Sequence, residues 1–422
     1  MKNVLMIAYH FPPVRVSSGI QRTLKFSQYL LKHGWKAQVL TVNLKAYLHV
    51  DDGQIKEIPK DVTVKRAFAL DTARHLAIKG RYLSWLALPD RWVSWCIGGV
   101  ISGLTLVVNY KPSVIWSTYP IATAHLIGLI LHRLTRIPWI ADFRDSMTED
   151  DYPVDPRQKR IYQWIERQTI KHCTRAVFTT PGAIKLYATR YPDIPENRWA
   201  LISNGYDEEN FAMAEKSQFY QVASKNKEND QIVLLHSGIL YPSERDPSQF
   251  FLALAEMLKN AVFRVGEIKI ILRATGHDSI HSQLINQNGL QEVVFLEPGV
   301  AYEEALVEML VVDGLLIFQA ANCNHQIPAK IYEYLRAKRP IFALTDPTGN
   351  TAEVLIQANI PNIAPLDDKD AIIKGLSAFL EAIKTSKASI ANNACIEEHS
   401  REAKTRQLAK LLDECVTVAD NC

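Results

Sequence analysis

A helix that leads into a buried strand is predicted by His325-Gln326-Ile327-Pro328-Ala329-Lys330-Ile331-Tyr332-Glu333-Tyr334-Leu335 and the following Arg339-Pro340-Ile341-Phe342-Ala343-Leu344. A helix N-terminus attracts phosphate through its free N–H groups and its dipole. Lys330 would add a full positive charge on the opening turn. Glu333, one turn later, could accept two hydrogen bonds from a ribose. These two residues suit a sugar nucleotide, but a Pro-started helix with a surface Lys and Glu is an equal alternative.

The same order of strand and helix recurs along the whole chain. Short apolar runs rich in β-branched residues alternate with amphipathic stretches, which is typical of parallel sheets built from βαβ units. The first unit is predicted as a strand over 3–9, a loop over 10–19, a helix over 20–33 and a strand over 36–42. Further strands are predicted at 62–68, 114–119, 138–142, 176–180, 199–203, 232–238, 268–272, 293–296, 314–318 and 340–344.

Two alternating series, separated by a polar stretch, indicate two domains. The length of 422 residues exceeds what one hydrophobic core usually serves. We predict an α/β fold of two Rossmann-like, doubly wound parallel-sheet domains facing a central cleft, because ligands of such sheets bind at the carboxyl ends of the strands. The predicted bounds are 1–210 for the first domain, 211–230 for a linker, 231–396 for the second domain and 397–422 for a final helix.

Composition excludes several classes of protein. A net charge of +3 without a run of Lys and Arg argues against nucleic acid as a partner. With 47% apolar and 22% charged residues, the chain has the composition of an ordinary globular protein. The six cysteines are scattered and show no metal-binding spacing, so we expect reduced thiols in a cytoplasmic protein. The apolar start is predicted to be the first strand, not a secretory signal.

Two segments raise the question of a membrane. Residues 92–110 contain no charged side chain and are almost long enough to span a bilayer, but three glycines and several polar residues favour a buried helix. A predicted helix over 156–172 carries five Arg or Lys residues around Tyr162 and Trp164. It could rest on anionic lipid at the inner face of the membrane, although a solvated basic face is the favoured alternative.

In the first domain, three groups of residues are candidates for a site. The loop with Ser18 and Gly19 could bring backbone N–H groups close to an anion. It lacks the Gly-x-Gly-x-x-Gly pattern, which argues against a nicotinamide dinucleotide. At the end of the strand over 138–142, Asp142 and Asp145 could orient an acceptor hydroxyl and Arg144 could meet a phosphate, or they could form a plain salt bridge. His125 is a weaker catalytic candidate, because a histidine on an apolar helix is more often a core residue.

In the second domain, basic residues lie in separate loops near predicted strand ends. Ser237-Gly238 ends the first strand of this domain, and Arg245 precedes the next helix. Arg245 and Lys330 could supply fixed positive charge where a diphosphate leaving group develops negative charge, without a metal. Arg273, shortly before Gly276, is a third candidate, with a solvated charge as the alternative. Asp368 and Asp370 are predicted to cap a helix and not to bind a metal.

With these residues in view, the chain resembles the family 4 glycosyltransferases of the two-Rossmann (GT-B) class, especially bacterial members that act on cell-surface polysaccharides. Five motifs in the family's order carry the resemblance: the opening strand with its Pro-Pro and Ser-Gly loop, 138–145, Ser203-Asn204-Gly205-Tyr206-Asp207, His236-Ser237-Gly238, and 327–334. The resemblance implies transfer of a sugar from a nucleotide diphosphate sugar to a glycan or lipid-linked acceptor, with retention at the anomeric carbon and without an essential metal or other cofactor. It also implies an acceptor site on the first domain, a donor site on the second, and a final helix that crosses back to the first.

Two departures from the family pattern bear on the donor site. The family's Glu-x7-Glu has its second Glu at Glu333, but its first position is His325. The Gly-Arg often found at the start of the second domain is Gly238-Ile239, which leaves Arg245 as the matching cation. The predicted catalytic residues are Asp142, Asp145, His125, Arg245 and Lys330. The predicted substrate-binding residues are Ser18, Gly19, Arg144, Asn204, Gly205, Ser237, Gly238, Arg273, Gly276, His325, Pro328, Ala329 and Glu333.

Two other functions remain open on these residues. The departure at His325 leaves room for a catalytically silent GT-B module that binds a nucleotide sugar or a partner protein. A sugar-nucleotide epimerase on the same fold is the other alternative, and it would turn over its nucleotide sugar without an acceptor.

Overall fold

The computed structural model describes residues 1–14, 18–50, 52–150, 152–225 and 231–420. These residues form two compact units. Unit 1 comprises 1–204 together with 401–422, and unit 2 comprises 205–400. The chain therefore leaves unit 1 once, builds unit 2 as a continuous piece, and returns.

Unit 1 is built on a seven-stranded parallel sheet in the order β3-β2-β1-β4-β5-β6-β7. Its strands are β1 (Lys2–Ile7), β2 (Trp35–Val42), β3 (Thr63–Ala67), β4 (Val114–Thr118), β5 (Trp139–Arg144), β6 (Arg175–Phe178) and β7 (Trp199–Leu201). The central strands are buried on both faces, as their continuous apolar runs require. The strand order reverses between β1 and β4, which is where ligands of such sheets bind.

Helices cover both faces of this sheet and form two apolar cores. The first six are α1 (Ser18–Tyr29), α2 (Thr72–His75), α3 (Trp95–Tyr110), α4 (Ala122–Thr135), α5 (Pro156–His172) and α6 (Pro181–Arg190). Helix α3 is the charge-free segment and packs against β2, β3 and α4. Its glycines allow this contact, since a Cβ at Gly98 would lie 2.3 Å from the carbonyl oxygen of Phe68. Among the described residues, no helix combines the length and apolar content needed to cross a bilayer.

Unit 2 is built on a six-stranded parallel sheet in the order β10-β9-β8-β11-β12-β13. Its strands are β8 (Ile232–Ser237), β9 (Ile268–Arg273), β10 (Val294–Glu297), β11 (Gly314–Phe318), β12 (Ile341–Leu344) and β13 (Ile363–Ala364). The strand order reverses between β8 and β11. The strands predicted from sequence are confirmed, and the two-residue β13 is the described strand that the sequence did not predict.

The helices of unit 2 are α7 (Glu208–Lys216), α8 (Gln218–Lys225), α9 (Ser248–Lys259), α10 (Asp278–Gln287), α11 (Tyr302–Val311), α12 (Lys330–Ala337), α13 (Asn350–Gln357), α14 (Lys369–Lys384) and α15 (Asn393–Glu398). The predicted helix and strand around 325–344 are confirmed as α12 and β12. Helix α16 (Arg401–Asp420) then packs on α1 within unit 1. Its apolar residues Leu408, Leu412 and Cys415 share a core with β1 and β2.

The region predicted as a linker, 211–230, is structured over its described part. Residues up to 225 lie in α7 and α8, and both helices pack against α11. Asp207 caps α7 by accepting a hydrogen bond from the Asn210 N–H at 3.1 Å, and Phe211 is fully buried. Arg336 forms ion pairs with Glu208 at 2.6 Å and with Glu215 at 3.0 Å. The polar composition that suggested a linker belongs to the solvated faces of two amphipathic helices.

Candidate functional site

The centre of the unit 2 sheet provides the first candidate site. Strands β8 and β11 are parallel neighbours, so their carboxyl ends meet at the same edge. Strand β8 ends at Ser237 and β11 ends at Phe318. This is the point where the strand order reverses, and ligands of doubly wound sheets bind there. Every predicted residue of the second domain lies at the end of β8 or β9, in the loops that follow them, or from the loop after β11 to the first turns of α12.

Ser237 and Gly238 form a sharp exit from β8. The Ser237 N–H donates to the Tyr334 Oη at 2.9 Å, which ties the strand end to α12. Gly238 has φ +145° and donates its N–H to the Arg273 carbonyl oxygen at 2.9 Å. Side chains other than glycine rarely adopt this backbone conformation. The turn therefore depends on glycine, and it directs the following loop over the strand ends.

Backbone and amide hydrogen bonds join the loop after β8 to the loop after β11. The Ala320 N–H donates to the Glu244 carbonyl oxygen at 2.7 Å, and Asn322 Nδ2 donates to the Ser243 carbonyl oxygen at 3.1 Å. Gln319 is buried and donates from Nε2 to the carbonyl oxygens of Cys323 and Gln326 at 2.9 and 3.0 Å. These bonds fix the path of the chain that leads to α12.

The N-terminus of α12 has no side-chain cap. Its N-cap residue is Ala329, whose methyl group cannot accept a hydrogen bond. Lys330 is the first helical residue and its side chain is about one-third exposed. The carbonyl oxygen of Pro328, the residue before the N-cap, accepts a hydrogen bond from the Ile331 N–H at 3.0 Å. His325 lies half-buried in the preceding turn.

Glu333 is mostly buried on the first turns of α12 and is held by two groups. The Lys330 ammonium lies 3.4 Å from one carboxylate oxygen, and the Tyr302 hydroxyl donates to the other at 2.7 Å. Tyr302 begins α11, so the carboxylate is positioned by residues from two helices. The orientation of Glu333 is therefore fixed before any ligand arrives.

Arg245 and Lys330 both lie near the end of β8. Burial, together with the positive charges of Arg245 and Lys330, lowers the pKa of His236 to about 4. Arg245 donates from Nη1 to the Ile239 carbonyl oxygen at 2.9 Å, and its guanidinium lies 5.6 Å from the Tyr241 ring centre. Two cations from separate segments therefore lie near one strand end, where they could form charge-assisted hydrogen bonds to an anion.

Arg273 does not take part in this group of cations. Its guanidinium is buried, forms a two-bond ion pair with Glu308, and donates to the Pro298 carbonyl oxygen at 2.8 Å. These contacts correct the sequence prediction of a substrate contact, because the donors already have acceptors within unit 2. Gly276, at φ +76°, shapes the same loop after β9.

In unit 1, Asp142 is a structural residue. It is fully buried and forms a two-bond ion pair with Arg22, with Nε–Oδ2 at 2.8 Å and Nη2–Oδ1 at 3.0 Å. Thr118 donates a further hydrogen bond to it at 3.1 Å. Arg22 also donates to the carbonyl oxygens of Ile202 and Ser203. The predicted role in orienting an acceptor is therefore wrong for Asp142, since its oxygens accept hydrogen bonds from Arg22 of α1 and Thr118 of β4, and Arg22 in turn binds the segment after β7.

Arg144 ends β5 with a left-handed backbone, φ +61°, where the pairing with β6 is irregular. Burial lowers the pKa of its guanidinium; the charge of Asp145 acts against this shift, while Arg22 and Arg401 add to it. Within the described part of the chain, Nε of Arg144 and Nε of Arg401 are both buried without a hydrogen-bond partner. Burial, with the charge of Arg144, also lowers the pKa of His10 to about 4. This edge of the sheet is electropositive, and the exposed Asp145 lies beside it.

His125 is a core histidine. It is fully buried between the rings of Tyr119, Trp139 and Phe143, and Nδ1 lies 2.8 Å from the Ser117 Oγ. Burial lowers its pKa to about 3, so the imidazole is neutral. A side chain enclosed in this way cannot touch a substrate, and the catalytic prediction for His125 is corrected.

The remaining predicted residues lie at the ends of elements. Ser18 and Gly19 begin α1, but residues 15–17 of their loop fall outside the described residues. Asn204 is the last residue of the first segment of unit 1, and Gly205 is the first of unit 2. No three His, Cys, Asp or Glu side chains are grouped as a metal site within the described ranges.

Sequence reasoning missed several residues that shape these sites: His10, Arg22, Tyr302 and Arg401. Arg22 had a signal, because it is a charged residue on α1 one turn from Phe26 and near apolar positions that face the sheet. The other three lie far along the chain from their partners, so spacing gives no sign of them.

Comparison with protein families matches the first part of the chain, and comparison with solved structures matches nearly all of it. Residues 19–205 match the family model described as a glycosyl transferase 4-like domain. The chain thus contains a glycosyl transferase 4-like domain and has the GT-B fold. A search of curated protein sequences found no match.

Solved structures share the fold of this chain over almost its entire length. The Anabaena protein HepE, in complex with UDP, is 13% identical with a TM-score of 0.67, covering 98% of this chain and 100% of that one. Sucrose-phosphate synthase from Thermosynechococcus elongatus is 13% identical with a TM-score of 0.65, covering 99% and 100%. The UDP-GlcNAc 2-epimerase from Neisseria meningitidis, bound to UDP-GlcNAc, is 12% identical with a TM-score of 0.57, covering 99% and 100%. At these identities the likeness concerns the fold alone.

Proposed function

We propose that unit 2 binds a nucleotide diphosphate sugar, with the diphosphate at the N-terminus of α12 between Lys330 and Arg245. The observation that carries this proposal is that α12 begins with Lys330, and that the loop before α12 is bound to the loop of Arg245 by the hydrogen bond from the Ala320 N–H to the Glu244 carbonyl oxygen, beside the point where the strand order reverses. The uncapped N-terminus of α12 adds N–H donors. The structure of HepE in complex with UDP supports a nucleotide ligand for this fold.

The same groups would assist departure of the nucleotide diphosphate. Negative charge grows on the leaving diphosphate as the bond to the anomeric carbon breaks, and fixed cations lower the energy of that state. Lys330 and Arg245 supply this charge from the protein, so we propose transfer without a metal. We also propose retention at the anomeric carbon, as the family resemblance implies. Glu333, positioned by Tyr302, would accept hydrogen bonds from the ribose hydroxyls.

On unit 1, we propose that Arg144 and Asp145 contact the acceptor. The buried Nε of Arg144 and the electropositive edge around it favour an anionic group such as phosphate. Asp145 is the exposed carboxylate at this edge and would orient the acceptor hydroxyl. The acceptor we propose is a glycan or a lipid-linked sugar of cell-surface polysaccharide synthesis.

The direct test is turnover by the purified chain. A panel of nucleotide diphosphate sugars is first screened by thermal shift, since a ligand at 100 times its Kd stabilises the folded state by about 2.7 kcal/mol. The donor found is then incubated with lipid-linked acceptors, with and without EDTA, and the product's anomeric configuration is determined by NMR. We expect a product with the donor's configuration in both samples. Inversion, or loss of turnover with EDTA, contradicts the corresponding part of the proposal.

Epimerisation is a second candidate function, favoured by the fold shared with the Neisseria epimerase. An epimerase would convert the nucleotide sugar to a new one without an acceptor, which chromatography of the donor alone detects. Binding of the donor without hydrolysis, transfer or epimerisation would instead indicate the silent module suggested by His325.

A further inference from the structure

An exposed hairpin leaves unit 1 between β3 and α3. Its base is closed by the Thr72 N–H, which donates to the Arg91 carbonyl oxygen at 2.9 Å, and by the Thr72 hydroxyl, which donates to the Leu86 carbonyl oxygen at 2.8 Å. At the tip, Ile78 and Arg81 exchange backbone hydrogen bonds of 2.8 and 3.0 Å. The two residues between them, Lys79 and Gly80, have φ +50° and +75°, as in the tight turns of hairpins. The tip is therefore a defined structure.

Large apolar side chains project from this hairpin into solvent. Ile78 is 79% exposed, Leu83 is 60% exposed and Trp85 is 64% exposed. A hydrogen-bonded turn that holds apolar side chains away from its own core gains nothing from them in folding. Such a concentration of exposed apolar residues indicates a surface that contacts a partner.

The charge of the hairpin has a single sign. Lys79 follows Ile78 directly, Arg81 pairs with Ile78 across the turn, and both cations are exposed. Residues 72–89 contain no Asp or Glu. Cations beside exposed aromatic and aliphatic side chains match the two layers of a membrane surface, which are anionic headgroups and the start of the acyl chains.

A second group of exposed apolar residues lies at Phe68 and on the first turns of α3. Phe68 is 58% exposed, and its carbonyl group lies against Gly98 of α3. On either side of Gly98 in the sequence, Ile97 and Ile101 are 71% and 63% exposed. Helix α3 carries no charged residue, and hydrogen bonds between Ser94 and Leu70 connect its start to the base of the hairpin.

We propose that the tip surface, defined as 76–85 with Phe68, Ile97 and Ile101, docks on an anionic lipid bilayer. Ile78, Leu83 and Trp85 enter the headgroup region while Lys79 and Arg81 bind lipid phosphates. This surface differs from the basic face of α5 considered from sequence. The proposal is independent of the donor site, so failure of one leaves the other standing.

Vesicle co-sedimentation tests the proposal with the full chain. Vesicles of phosphatidylcholine containing one-third phosphatidylglycerol are compared with pure phosphatidylcholine at 0.15 M salt. We expect binding to the anionic vesicles only. Replacing both cations, Lys79→Gln with Arg81→Gln, should weaken it about 25-fold, since each cation near the surface contributes about fivefold. The apolar variant Ile78→Ser, Leu83→Ser, Trp85→Ser should weaken it at least tenfold.

Matched controls separate the tip surface from general effects. Phe219 and Val222 on α8 are 55% and 58% exposed, so Phe219→Ser with Val222→Ser removes similar apolar surface from unit 2 and should leave binding unchanged. Arg160→Gln with Arg167→Gln tests the face of α5. Circular dichroism and melting temperature should be unaltered in every variant, because all of the replaced side chains are exposed.

Insertion itself is measured with brominated lipids, which quench nearby tryptophan. We expect quenching in the wild type and its loss in Trp85→Phe, although seven other tryptophans remain of the eight in the chain. Absence of vesicle binding by the wild type overturns the proposal. So does binding that depends on Arg160 and Arg167 but not on the tip, or a dimer in light scattering that the apolar tip variant alone dissolves.

Discussion

The Lys330 ammonium lies 3.4 Å from the Glu333 carboxylate, one turn away on α12. If both residues contact the donor, this ion pair must open when the diphosphate arrives. Lys330 would exchange one carboxylate for phosphate oxygens, and Glu333 would keep the hydrogen bond from Tyr302 while it gains hydroxyl donors. Before the donor binds, each of the two charged groups is thus held in place by a partner of opposite charge.

Removal of the two cations should weaken nucleotide binding. We expect Lys330→Ala and Arg245→Ala each to raise the Kd for the nucleoside diphosphate at least tenfold in calorimetry, because a charge-assisted hydrogen bond contributes about 1.5–3 kcal/mol. Lys369→Ala is the matched control, since Lys369 pairs with Glu256 elsewhere on unit 2 and should leave the Kd unchanged. Equal affinities in all three variants would refute the proposed donor site.

The buried ion pair of unit 1 should have a large effect on stability. Asp142→Asn leaves the Arg22 guanidinium buried without its carboxylate, which should lower the free energy of unfolding by about 3–5 kcal/mol. Asp413→Asn breaks the exposed pair with Lys2 and should cost less than about 1 kcal/mol. Denaturant unfolding measures both, and a cost for Asp142→Asn as small as that of Asp413→Asn would contradict the assigned role.

Buried neutral histidines should make the fold sensitive to mild acid. The folded-state pKa of His125 is about 3, below its ordinary value of 6.5. Between these two pH values the imidazole is protonated in the unfolded chain but not in the folded chain. The contribution of His125 is complete above pH 6.5 and is lost as the pH falls towards 3. Between pH 6 and 5, His125→Gln should reduce the slope of stability against pH by up to about 1.4 kcal/mol per unit.

Urea unfolding at a series of pH values measures this slope. The control is His49→Gln, because His49 is exposed and the slope should then stay as in the wild type. A slope for His125→Gln equal to that of the wild type would mean that the imidazole is accessible to protons in the folded state.

Two glycines of α3 should differ in their tolerance of alanine. A Cβ at Gly98 would lie 2.3 Å from the backbone oxygen of Phe68, whereas a Cβ at Gly103 would meet the end of the Leu131 side chain at 2.5 Å. A backbone carbonyl group cannot move aside as the end of a side chain can. Gly98→Ala should therefore lower the free energy of unfolding by about 1–3 kcal/mol. Gly103→Ala should cost clearly less. Thermal unfolding of both variants checks the order, and the reverse order would disprove this account of the packing.

Much of the architecture could be predicted from sequence because strand and helix patterns are local. The apolar runs that became β8, β11 and β12 are short, uncharged and bounded by polar residues, so they identify strands without tertiary knowledge. The linker prediction at 211–230 was wrong over 211–225 for a related reason. The apolar residues that α7 buries are Phe211 and Ala214. With so few apolar residues, the composition of this segment is the same as that of a flexible connector.

The sites were less predictable because their geometry depends on distant residues. Asp142 looked like a site residue at a strand end, but Arg22, 120 positions earlier, occupies both of its oxygens. Likewise, the guanidinium of Arg273 forms an ion pair with Glu308, 35 positions later. By contrast, Lys330 and Glu333 are neighbours on one helix, and their relationship follows from helical spacing alone.

The position of α16 has a consequence for synthesis of the chain. Leu408, Leu412 and Cys415 share a core with Val4 and Met6, which come about 400 residues earlier in the sequence. While the ribosome is still making unit 2, one face of the unit 1 sheet is therefore covered only in part. Closure of that layer awaits the synthesis of α16, so a chain truncated after 400 should be prone to aggregate even though it retains all of the described strands.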